Sequence, residues 1–170
     1  MQQPAIFLLL WYSMKKVLFV CLGNICRSSA AEEVFRSLVR SRGLEGEVEV
    51  DSAGIIDYHE GELSDSRMRS HAARRGYRLL HRSRPVTAAD FARFDYIVGM
   101  DADNLRALQR IAATASEVRA TLLPMADFLR GYEAEKIPDP YYGTGRDFDY
   151  VLDLLEDASP ALLDFVLGKA

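Results

Sequence analysis

The sequence predicts an α/β fold in which one four-stranded parallel sheet is covered by helices on both faces. Residues 17–20 form a continuous apolar run, which is typical of a strand buried on both sides. Further short apolar runs alternate with segments of helical periodicity, and this alternation favours a parallel sheet. The 170 residues, 49% of them hydrophobic, suffice for one core, and no linker or repeat divides them. We therefore expect a single domain.

The individual elements follow from local patterns in chain order. Strands are predicted at residues 15–21, 48–51, 96–100 and 121–123. Helices are predicted at residues 29–40, 65–75, 88–93 and 125–129, from Asp101 or Asp103 to Ile111, and from about Phe148 onward. Ser29 with Glu32 fits a capping box at the first helix. Ser159 followed by Pro160 predicts a kink or restart in the last helix.

The first 13 residues are treated separately from the domain, which we expect at residues 14–170. Residues 5–12 (AIFLLLWY) are apolar but too few to span a bilayer, which takes about 20 residues. They also lack the basic and small-residue flanks of a signal peptide. Met14 begins MKKVLFVC, which resembles the natural start of a first strand. We expect residues 1–13 to be an upstream extension that a misassigned start site would explain; a surface-packed or partner-binding segment is the alternative.

Charge and cysteine content narrow the classes of partner and compartment. The net charge is −4, so no overall basic field would attract DNA or anionic lipid, and we expect neither nucleic acid nor membrane as a partner. Only Cys21 and Cys26 are present, which disfavours a disulfide scaffold and favours a reducing, cytoplasmic compartment. The three histidines show no ligand spacing, so we expect no metal site.

The segment VCLGNICRSS, between the first strand and the first helix, carries the main chemical signal. Cys21 ends the strand, and five residues separate it from Arg27. Such a loop can curl so that its backbone N–H groups surround an anion, and the helix N-terminus adds partial positive charge. Gly23 and Asn24 tolerate the left-handed conformation that this curling requires. The predicted phosphate-binding residues are Leu22, Gly23, Asn24, Ile25, Cys26, Arg27 and Ser28.

The same loop would activate its cysteine. A helix N-terminus and nearby cations can lower a thiol pKa to ~3.5–7.5, which produces the nucleophilic thiolate. A Ser28 hydroxyl within reach of the Cys21 sulfur would stabilise that anion further. Arg27 can offer a bidentate fork to two phosphate oxygens. We therefore expect this loop both to bind phosphate and to attack it.

Four motifs together resemble the low-molecular-weight protein tyrosine phosphatase family: VCLGNICRSS, DSAG at residues 51–54, FDYIVGMD at 94–101 and DPYYG at 139–143. The resemblance extends from Lys15 to the C-terminus. It implies a four-stranded parallel sheet, a cysteinyl-phosphate intermediate and no metal or other cofactor. At matching positions it implies Cys21 as nucleophile, Arg27 as phosphate clamp and Asp139 as general acid. It further implies a loop-shaping network that consists of Asn24, Ser28 and Ser52.

The segment around Asp139 would complete such a site. Pro138 and Pro140 restrict the backbone on both sides of Asp139 and could hold its carboxyl group over the pocket. General acid catalysis of this kind is typically worth ~10²–10⁴-fold. Tyrosines that could stack on an aromatic substrate form the predicted rim: Tyr58, Tyr141 and Tyr142.

Two differences from the family pattern stand out in the sequence. Ser29 occupies a position where proline is common, so the start of the first helix loses some rigidity. Arg75 aligns with a histidine that some members place in the loop-shaping network. Both differences concern residues that support the phosphate-binding loop.

The sequence leaves other activities open. Phosphoarginine phosphatases of the same fold resemble this loop but carry threonine at the position of Ile25, so the apolar residue here favours an aryl phosphate. A non-catalytic phosphotyrosine reader would lack the nucleophile or the acid, and an arsenate reductase would need a cysteine after Cys26. We expect a phosphotyrosine-containing protein as substrate; a bacterial tyrosine kinase is a candidate partner through family association alone.

The two cysteines of the loop lead to a further prediction. Cys21 and Cys26 could pair on oxidation, which would shield Cys21 from irreversible damage and switch activity off reversibly. The alternative is that Cys26 only packs beneath the loop.

Overall fold

A four-stranded sheet forms the middle layer of the computed structural model, which describes residues 13–169. All three strand pairs are parallel, and the spatial order is β2-β1-β3-β4. The strands are β1 (Lys15–Cys21), β2 (Val48–Gly54), β3 (Tyr96–Gly99) and β4 (Thr121–Pro124). The predicted α/β fold with one four-stranded parallel sheet is confirmed.

Helices cover the sheet on both faces. They are α1 (Arg27–Ser41), α2 (Ser66–Ala73), α3 (Asp90–Arg93), α4 (Ala102–Ala112) and α5 (Gly145–Val166), with a short 3-10 turn at Met125–Phe128. One core layer joins α1, α2 and α5 to the sheet, and a second layer joins α3 and α4 to its opposite face. Successive side chains of a strand point to opposite faces, so β1 contributes Val17 and Phe19 to the first layer and Leu18 and Val20 to the second.

The position of β1 explains where a ligand can bind. This strand lies between β2 and β3, and its four central residues are completely buried. It ends at Cys21, which pairs with Gly54 at the end of β2. Ligands of open parallel sheets bind beyond the carboxyl ends of the strands. Cys21 therefore stands at the edge of the sheet where such a site is expected.

The starts of α1 and α5 differ from their predicted positions for identifiable reasons. Helix α1 begins at Arg27, two residues early, because the turn of the preceding loop already places Arg27 in helical conformation. The capping box predicted from Ser29 and Glu32 is wrong, since the Ser29 hydroxyl donates to the Cys26 carbonyl (3.3 Å) and Glu32 turns toward β2. Helix α5 begins at Gly145, and its first turn is closed by a capping box between Thr144 and Asp147.

The last helix runs through its proline without a restart. Helix α5 continues over 22 residues with Pro160 inside it, and the Ser159 hydroxyl donates to the Leu155 carbonyl at 2.6 Å. Buried side chains extend along its whole length, from Phe148 to Val166, and pack on α1 and the 3-10 turn. Packing of this continuous apolar face outweighs the local preference of the Ser-Pro pair. The predicted restart is therefore wrong.

Most of the predicted N-terminal extension lies outside the described residues. Residues 1–12 of the predicted extension, 1–13, lie outside the described part of the chain. Between residues 13 and 169, no helix is both long and apolar enough to cross a bilayer.

Candidate active site

The residues predicted to be catalytic lie together at the carboxyl edge of the sheet. Cys21, Arg27 and Asp139 line one cavity of ≈ 340 Å³, although Asp139 is 118 residues downstream of Cys21 in the chain. The Cys21 side chain is only 3% exposed, so its sulfur lies at the bottom of this cavity. Asn24 has a φ of 57°, the only positive φ of a non-glycine residue among residues 13–169. This left-handed turn folds the loop back toward the start of α1.

The Asn24 side chain organises the loop from inside. Its Oδ1 accepts the backbone N–H of Arg84 (3.1 Å), which fixes the orientation of the amide. The Nδ2 group then donates to the hydroxyl oxygens of Ser28 (2.8 Å) and Ser52 (2.9 Å). Because the Ser28 oxygen accepts this bond, its own proton can be donated to the Cys21 sulfur, 3.1 Å away, with the Ala53 carbonyl at 3.4 Å as the more distant acceptor. Hydrogen bonding of this kind stabilises a thiolate.

The opposite end of this chain of hydrogen bonds reaches a buried carboxylate. The Ser52 hydroxyl donates to Oε1 of Glu32 at 3.0 Å, and Arg36 pairs with the other carboxylate oxygen at 3.0 Å. Burial raises the pKa of Glu32, but hydrogen bonds and charge from His81 and Arg36 outweigh it and lower the pKa overall. The donors therefore point outward from the Asn24 amide, through Ser52 to the ionised Glu32 on one side and through Ser28 to Cys21 on the other.

His81 is a member of this network that the sequence analysis missed. Its Nε2 lies 3.0 Å from Oδ1 of Asn24, and its Nδ1 lies 3.1 Å from Glu32 Oε1 and 3.5 Å from Asp51 Oδ1. All three partner atoms are acceptors, so each ring nitrogen faces an oxygen to which it can donate. The segment around His81 has neither helical nor strand periodicity, so no pattern marked this residue.

The alignment of Arg75 with the network histidine is thereby corrected. Arg75 lies just beyond α2 and forms ion pairs with Asp153 (2.8 Å) and Glu156 (2.6 Å) on α5, away from the loop. It ties α2 to α5, whereas His81 provides the contact to Asn24. Sequence position alone could not distinguish the two, because the chain between α2 and α3 is irregular.

His81, Glu32 and Asp51 also bring three potential ligand atoms within 4.8 Å of one another. Each carboxylate already has a cationic partner, because Arg36 pairs with Glu32 and Arg84 pairs with Asp51 at 2.9 Å. These ion pairs and the contacts of the histidine account for the cluster as a charge network.

Arg27 is held in place before any ligand arrives. Its side chain is 3% exposed, and its Nη1 donates to Asp101 Oδ2 (2.7 Å) and to the carbonyl of Ile137 (3.0 Å). Burial lowers the pKa of Arg27, but charge interactions with Cys21, Asp139 and Asp101 and the hydrogen bond to Asp101 raise it overall. The guanidinium is therefore a fixed positive charge at the wall of the cavity.

Asp101 has two roles, of which the sequence indicated one. Its Oδ1 accepts the backbone N–H of Asn104 at 2.8 Å, as expected of a residue that begins a helix. Its Oδ2 binds Arg27, a contact between segments 74 residues apart that no local pattern indicates. Burial raises the pKa of Asp101, but the bond from Arg27 and the helix N-terminus lower it overall, so it pairs as a carboxylate.

Asp139 is positioned by the loop that precedes α5. The Tyr141 N–H donates to its Oδ1 at 3.1 Å, and the other oxygen lies 3.6 Å from Nη2 of Arg27. A turn closes behind it through the bond from Gly143 N–H to the Pro140 carbonyl (2.8 Å). The carboxyl group thus faces the cavity at a fixed distance from Arg27.

The three predicted rim tyrosines all line the same cavity. The Tyr141 and Tyr142 rings meet edge to face with centroids 4.9 Å apart, and Tyr58 makes the same kind of contact with His59. The Arg67 guanidinium stacks on Tyr141 with its carbon 5.4 Å from the ring centroid. His59 and Ile56 also line the cavity, although neither was predicted to do so.

Cys26 differs chemically from Cys21. It is buried, and burial together with the negative charges of Asp65 and Cys21 raises the pKa of its thiol far above the ordinary value. Cys26 is therefore a neutral thiol beside the proposed nucleophile. Both cysteines are free. Their pairing on oxidation stays a prediction, which peroxide inactivation that dithiothreitol reverses would support.

Fold and cavity together define a class of protein. A parallel α/β sheet that places a cysteine, an arginine and a carboxyl group around one cavity is typical of a cysteine-dependent phosphatase. The sequence model described as "Low molecular weight phosphotyrosine protein phosphatase" matches residues 16–169. The chain belongs to the low-molecular-weight protein tyrosine phosphatase family, which confirms the resemblance, and it is a hydrolase that acts on phosphotyrosine.

Individual relatives are similar over most of their length. A low-molecular-weight protein-tyrosine-phosphatase of Streptomyces coelicolor is 44% identical over 155 residues, which cover 87% of this chain and 91% of the relative. The protein tyrosine phosphatase of Entamoeba histolytica superimposes with a TM-score of 0.83 at 42% identity, over 93% of this chain and 100% of that one. An arginine phosphatase of Drosophila superimposes equally well, with a TM-score of 0.83 at 32% identity over 88% and 96% of the two chains.

Proposed function

We propose that Cys21 is the nucleophile that attacks the phosphorus of phosphotyrosine. In this step a sulfur–phosphorus bond forms while the bond from phosphorus to the tyrosine oxygen breaks. The single observation that carries the proposal is the 3.1 Å contact between the Cys21 sulfur and the Ser28 hydroxyl. The oxygen of that hydroxyl accepts from Asn24, so its proton can be donated, and the sulfur is a nearer acceptor than the Ala53 carbonyl at 3.4 Å.

Arg27 and the loop amides hold the phosphate in this proposal. The N–H groups of residues 22–28 and the guanidinium bind the non-bridging oxygens, where negative charge concentrates as the phosphoryl group is transferred. Asp101 and the Ile137 carbonyl occupy Nη1 of Arg27, which leaves the remaining N–H groups to bind the ligand. Such prior orientation lowers the entropic cost of the reaction.

Asp139 acts first as an acid and then as a base. Its carboxyl proton passes to the departing tyrosine oxygen, which yields the dephosphorylated tyrosine side chain of the substrate and an Asp139 carboxylate. That carboxylate then takes a proton from water as the water oxygen attacks the cysteinyl phosphate. The sulfur–phosphorus bond breaks, inorganic phosphate leaves and the thiolate returns.

Site-directed variants test these roles. We expect Cys21→Ser to abolish turnover of p-nitrophenyl phosphate in reducing buffer with a metal chelator. We expect Asp139→Asn to lower kcat by about 10²-fold with phenyl phosphate but by less with p-nitrophenyl phosphate, because the better leaving group needs less protonation. Asp103→Asn, which changes an exposed carboxylate paired with Arg106, serves as the matched control. Turnover that survives Cys21→Ser, or equal losses with both substrates, would contradict the assignment.

A phosphoarginine phosphatase is the second candidate, since the Drosophila arginine phosphatase has the same fold. Ile25 lines the cavity with an apolar side chain, which suits an aromatic ring better than a guanidinium. Steady-state kinetics on matched phosphotyrosine, phosphoserine and phosphoarginine peptides decide between the two. Faster turnover of the phosphoarginine peptide would favour the phosphoarginine phosphatase. Binding of the phosphotyrosine peptide without turnover would indicate a non-catalytic phosphotyrosine reader.

We further propose a cytoplasmic location and a bacterial tyrosine kinase as a protein substrate. The two free thiols support a reducing compartment, and family association supports the kinase. Fractionation of the native cells tests the location. Capture of a phosphorylated kinase by the Cys21→Ser variant tests the partner; a trapped set without any kinase would count against it.

A further inference from the structure

Two aliphatic side chains stand exposed at the mouth of the cavity, and we call them the apolar shelf. Leu22 directly follows Cys21 and is 46% exposed, while Ile56 is 39% exposed and lines the same cavity. The backbone fixes their relative position: the Ile56 N–H donates to the Leu22 carbonyl (3.0 Å), and the Ile55 N–H donates to the Cys21 carbonyl (2.9 Å). These bonds continue the β1–β2 ladder past its last pair, so the shelf belongs to the rigid frame of the site.

The shelf lies where the substrate polypeptide must pass. Single exposed aliphatic residues are ordinary on protein surfaces, but two that line one cavity together offer apolar surface to a ligand there. The phosphate and the ring of a phosphotyrosine occupy the cavity above Cys21, between the rim tyrosines. Leu22 and Ile56 are the exposed aliphatic residues of the cavity lining, and we place against them a side chain adjacent to that phosphotyrosine in the substrate.

Charges around the shelf restrict the kind of side chain that fits. Three exposed carboxylates lie in the same short loop as Ile56, at Asp57, Glu60 and Glu62. Arg82 is a cation that contacts this loop, through the Gly61 carbonyl at 2.8 Å, and it leaves the loop with a net negative charge. An acidic side chain of the substrate would be repelled here, whereas an aliphatic one removes apolar surface from water.

We propose that Leu22 and Ile56 select phosphotyrosine sites that carry an aliphatic residue next to the phosphotyrosine and disfavour sites with an acidic residue there. This inference rests on the proposed function of the cavity and specifies the substrate class further. Ile56 is thereby a specificity-determining residue, distinct from the groups that perform the reaction.

Matched phosphopeptides test the proposal. The peptides differ only at the residue before or after phosphotyrosine, which is Leu, Ala or Asp. We expect kcat/KM for the preferred Leu peptide to exceed that of its Ala counterpart about fivefold, the effect of burying roughly half of a leucine side chain. The Asp peptide should fall below the Ala peptide. Equal kcat/KM for all peptides, or a preference for the Asp peptide, would overturn the proposal that the apolar shelf selects aliphatic residues.

Variants connect the preference to the shelf. Ile56→Ser should reduce the ratio of kcat/KM between the Leu and Ala peptides to near 1, and Ile56→Asp should lower the Asp peptide further. Val118→Ser changes another exposed aliphatic residue, 52% exposed and outside the cavity lining, and should keep the wild-type ratio. A Leu/Ala ratio that Ile56→Ser does not change would overturn the proposal even if the wild type prefers Leu.

p-Nitrophenyl phosphate separates this inference from the function on which it rests. It has no flanking residue, so its turnover reports on the catalytic centre alone. If this compound is turned over but kcat/KM is equal for all peptides, only the proposed role of the apolar shelf is contradicted. Absence of turnover with this compound and with every peptide contradicts the proposed function itself.

Discussion

Asn24 combines two properties on which the loop depends. Its backbone is left-handed, and its amide joins Ser28, Ser52, His81 and Arg84. Asparagine adopts this conformation more readily than other non-glycine residues, and its side chain offers both donors and an acceptor. A substitution at this position therefore changes conformation and hydrogen bonding together.

Two variants of Asn24 separate these effects. Asn24→Gly keeps the left-handed backbone but removes the amide, whereas Asn24→Ala removes the amide and strains the backbone as well. We expect both to lower kcat by at least tenfold, because Ser28 loses its donor. Asn24→Ala should also lower the free energy of unfolding by ~1 kcal/mol more than Asn24→Gly. Urea denaturation and p-nitrophenyl phosphate kinetics measure the two effects; wild-type kcat in Asn24→Gly would remove the amide from the mechanism.

At the residue scale, the sequence indicated those site residues whose partners lie close to them along the chain. Cys21, Asn24, Arg27 and Ser28 lie within eight consecutive residues between a buried strand and a helix, so their convergence was predictable. His81 and Asp101 were missed as site residues. They reach the loop across 57 and 74 residues through contacts that only the packed sheet creates.

At the scale of elements, the start of α5 determines how the Asp139 loop closes. The Thr144 N–H donates to Asp147 Oδ2 at 2.6 Å, and the Thr144 hydroxyl lies 3.3 Å from the same oxygen. Any side chain at Gly143 would overlap the Asp147 carboxylate, so only glycine allows this close approach. The loop and the helix are thus joined by one compact cap.

Removal of this cap should destabilise the protein measurably. We expect Asp147→Ala to lower the free energy of unfolding by ~1 kcal/mol, a typical cost of losing an N-terminal capping interaction. Asp164→Ala removes an exposed carboxylate near the other end of α5, where it pairs with Arg42 at 3.3 Å, and should cost less than half as much. Urea midpoints at neutral pH compare them; equal losses would show that the cap adds nothing beyond surface charge.

Element boundaries show where local patterns fail. Strand β2 was predicted to end at Asp51 but continues to Gly54, because β1 supplies pairing partners up to Cys21. The start of α5 was placed three residues late because Thr144 and Asp147 belong to a glycine-rich stretch. In both segments, tertiary contacts decide the boundary.

At the scale of the whole molecule, several carboxylates bind their partners more strongly as anions. In the folded protein, hydrogen bonds or neighbouring cations lower the pKa of each of these carboxyl groups. They are Glu32, Asp65, Asp101, Asp149 and Asp157. A group whose pKa is lower in the folded state stabilises the fold above its unfolded pKa. That contribution is lost as the pH falls through the folded value.

Acid should therefore unfold this protein progressively. The ordinary values are 4.5 for Glu32 and 3.8 for the aspartates, so we expect the free energy of unfolding to begin to fall below about pH 4.5. Urea denaturation at a series of pH values from 7 to 3 measures this. Glu32→Gln should lower stability at pH 7 and show a shallower decline in acid than wild type. Parallel curves would mean that Glu32 ionises alike in both states.

The general plan of the molecule was predictable because it depends on repeated local signals. Alternating apolar strands and amphipathic helices specify a parallel sheet with two covered faces. Irregular segments gave no such signal, which is why the contact of residues 81–84 with the loop appeared only in the folded chain.

The depth of the cavity limits which phosphate esters can react at all. The sulfur of Cys21 is almost inaccessible, while Tyr58 and Tyr142 project from the mouth with 80% and 96% of their surface exposed. A phosphorylated serine lacks the benzene ring that separates the backbone from the phosphate in phosphotyrosine, so its phosphorus lies closer to the peptide chain. We expect its peptide chain to meet these tyrosines before the phosphorus reaches the sulfur. The cavity would then discriminate between phosphate esters by side-chain length before any bond changes.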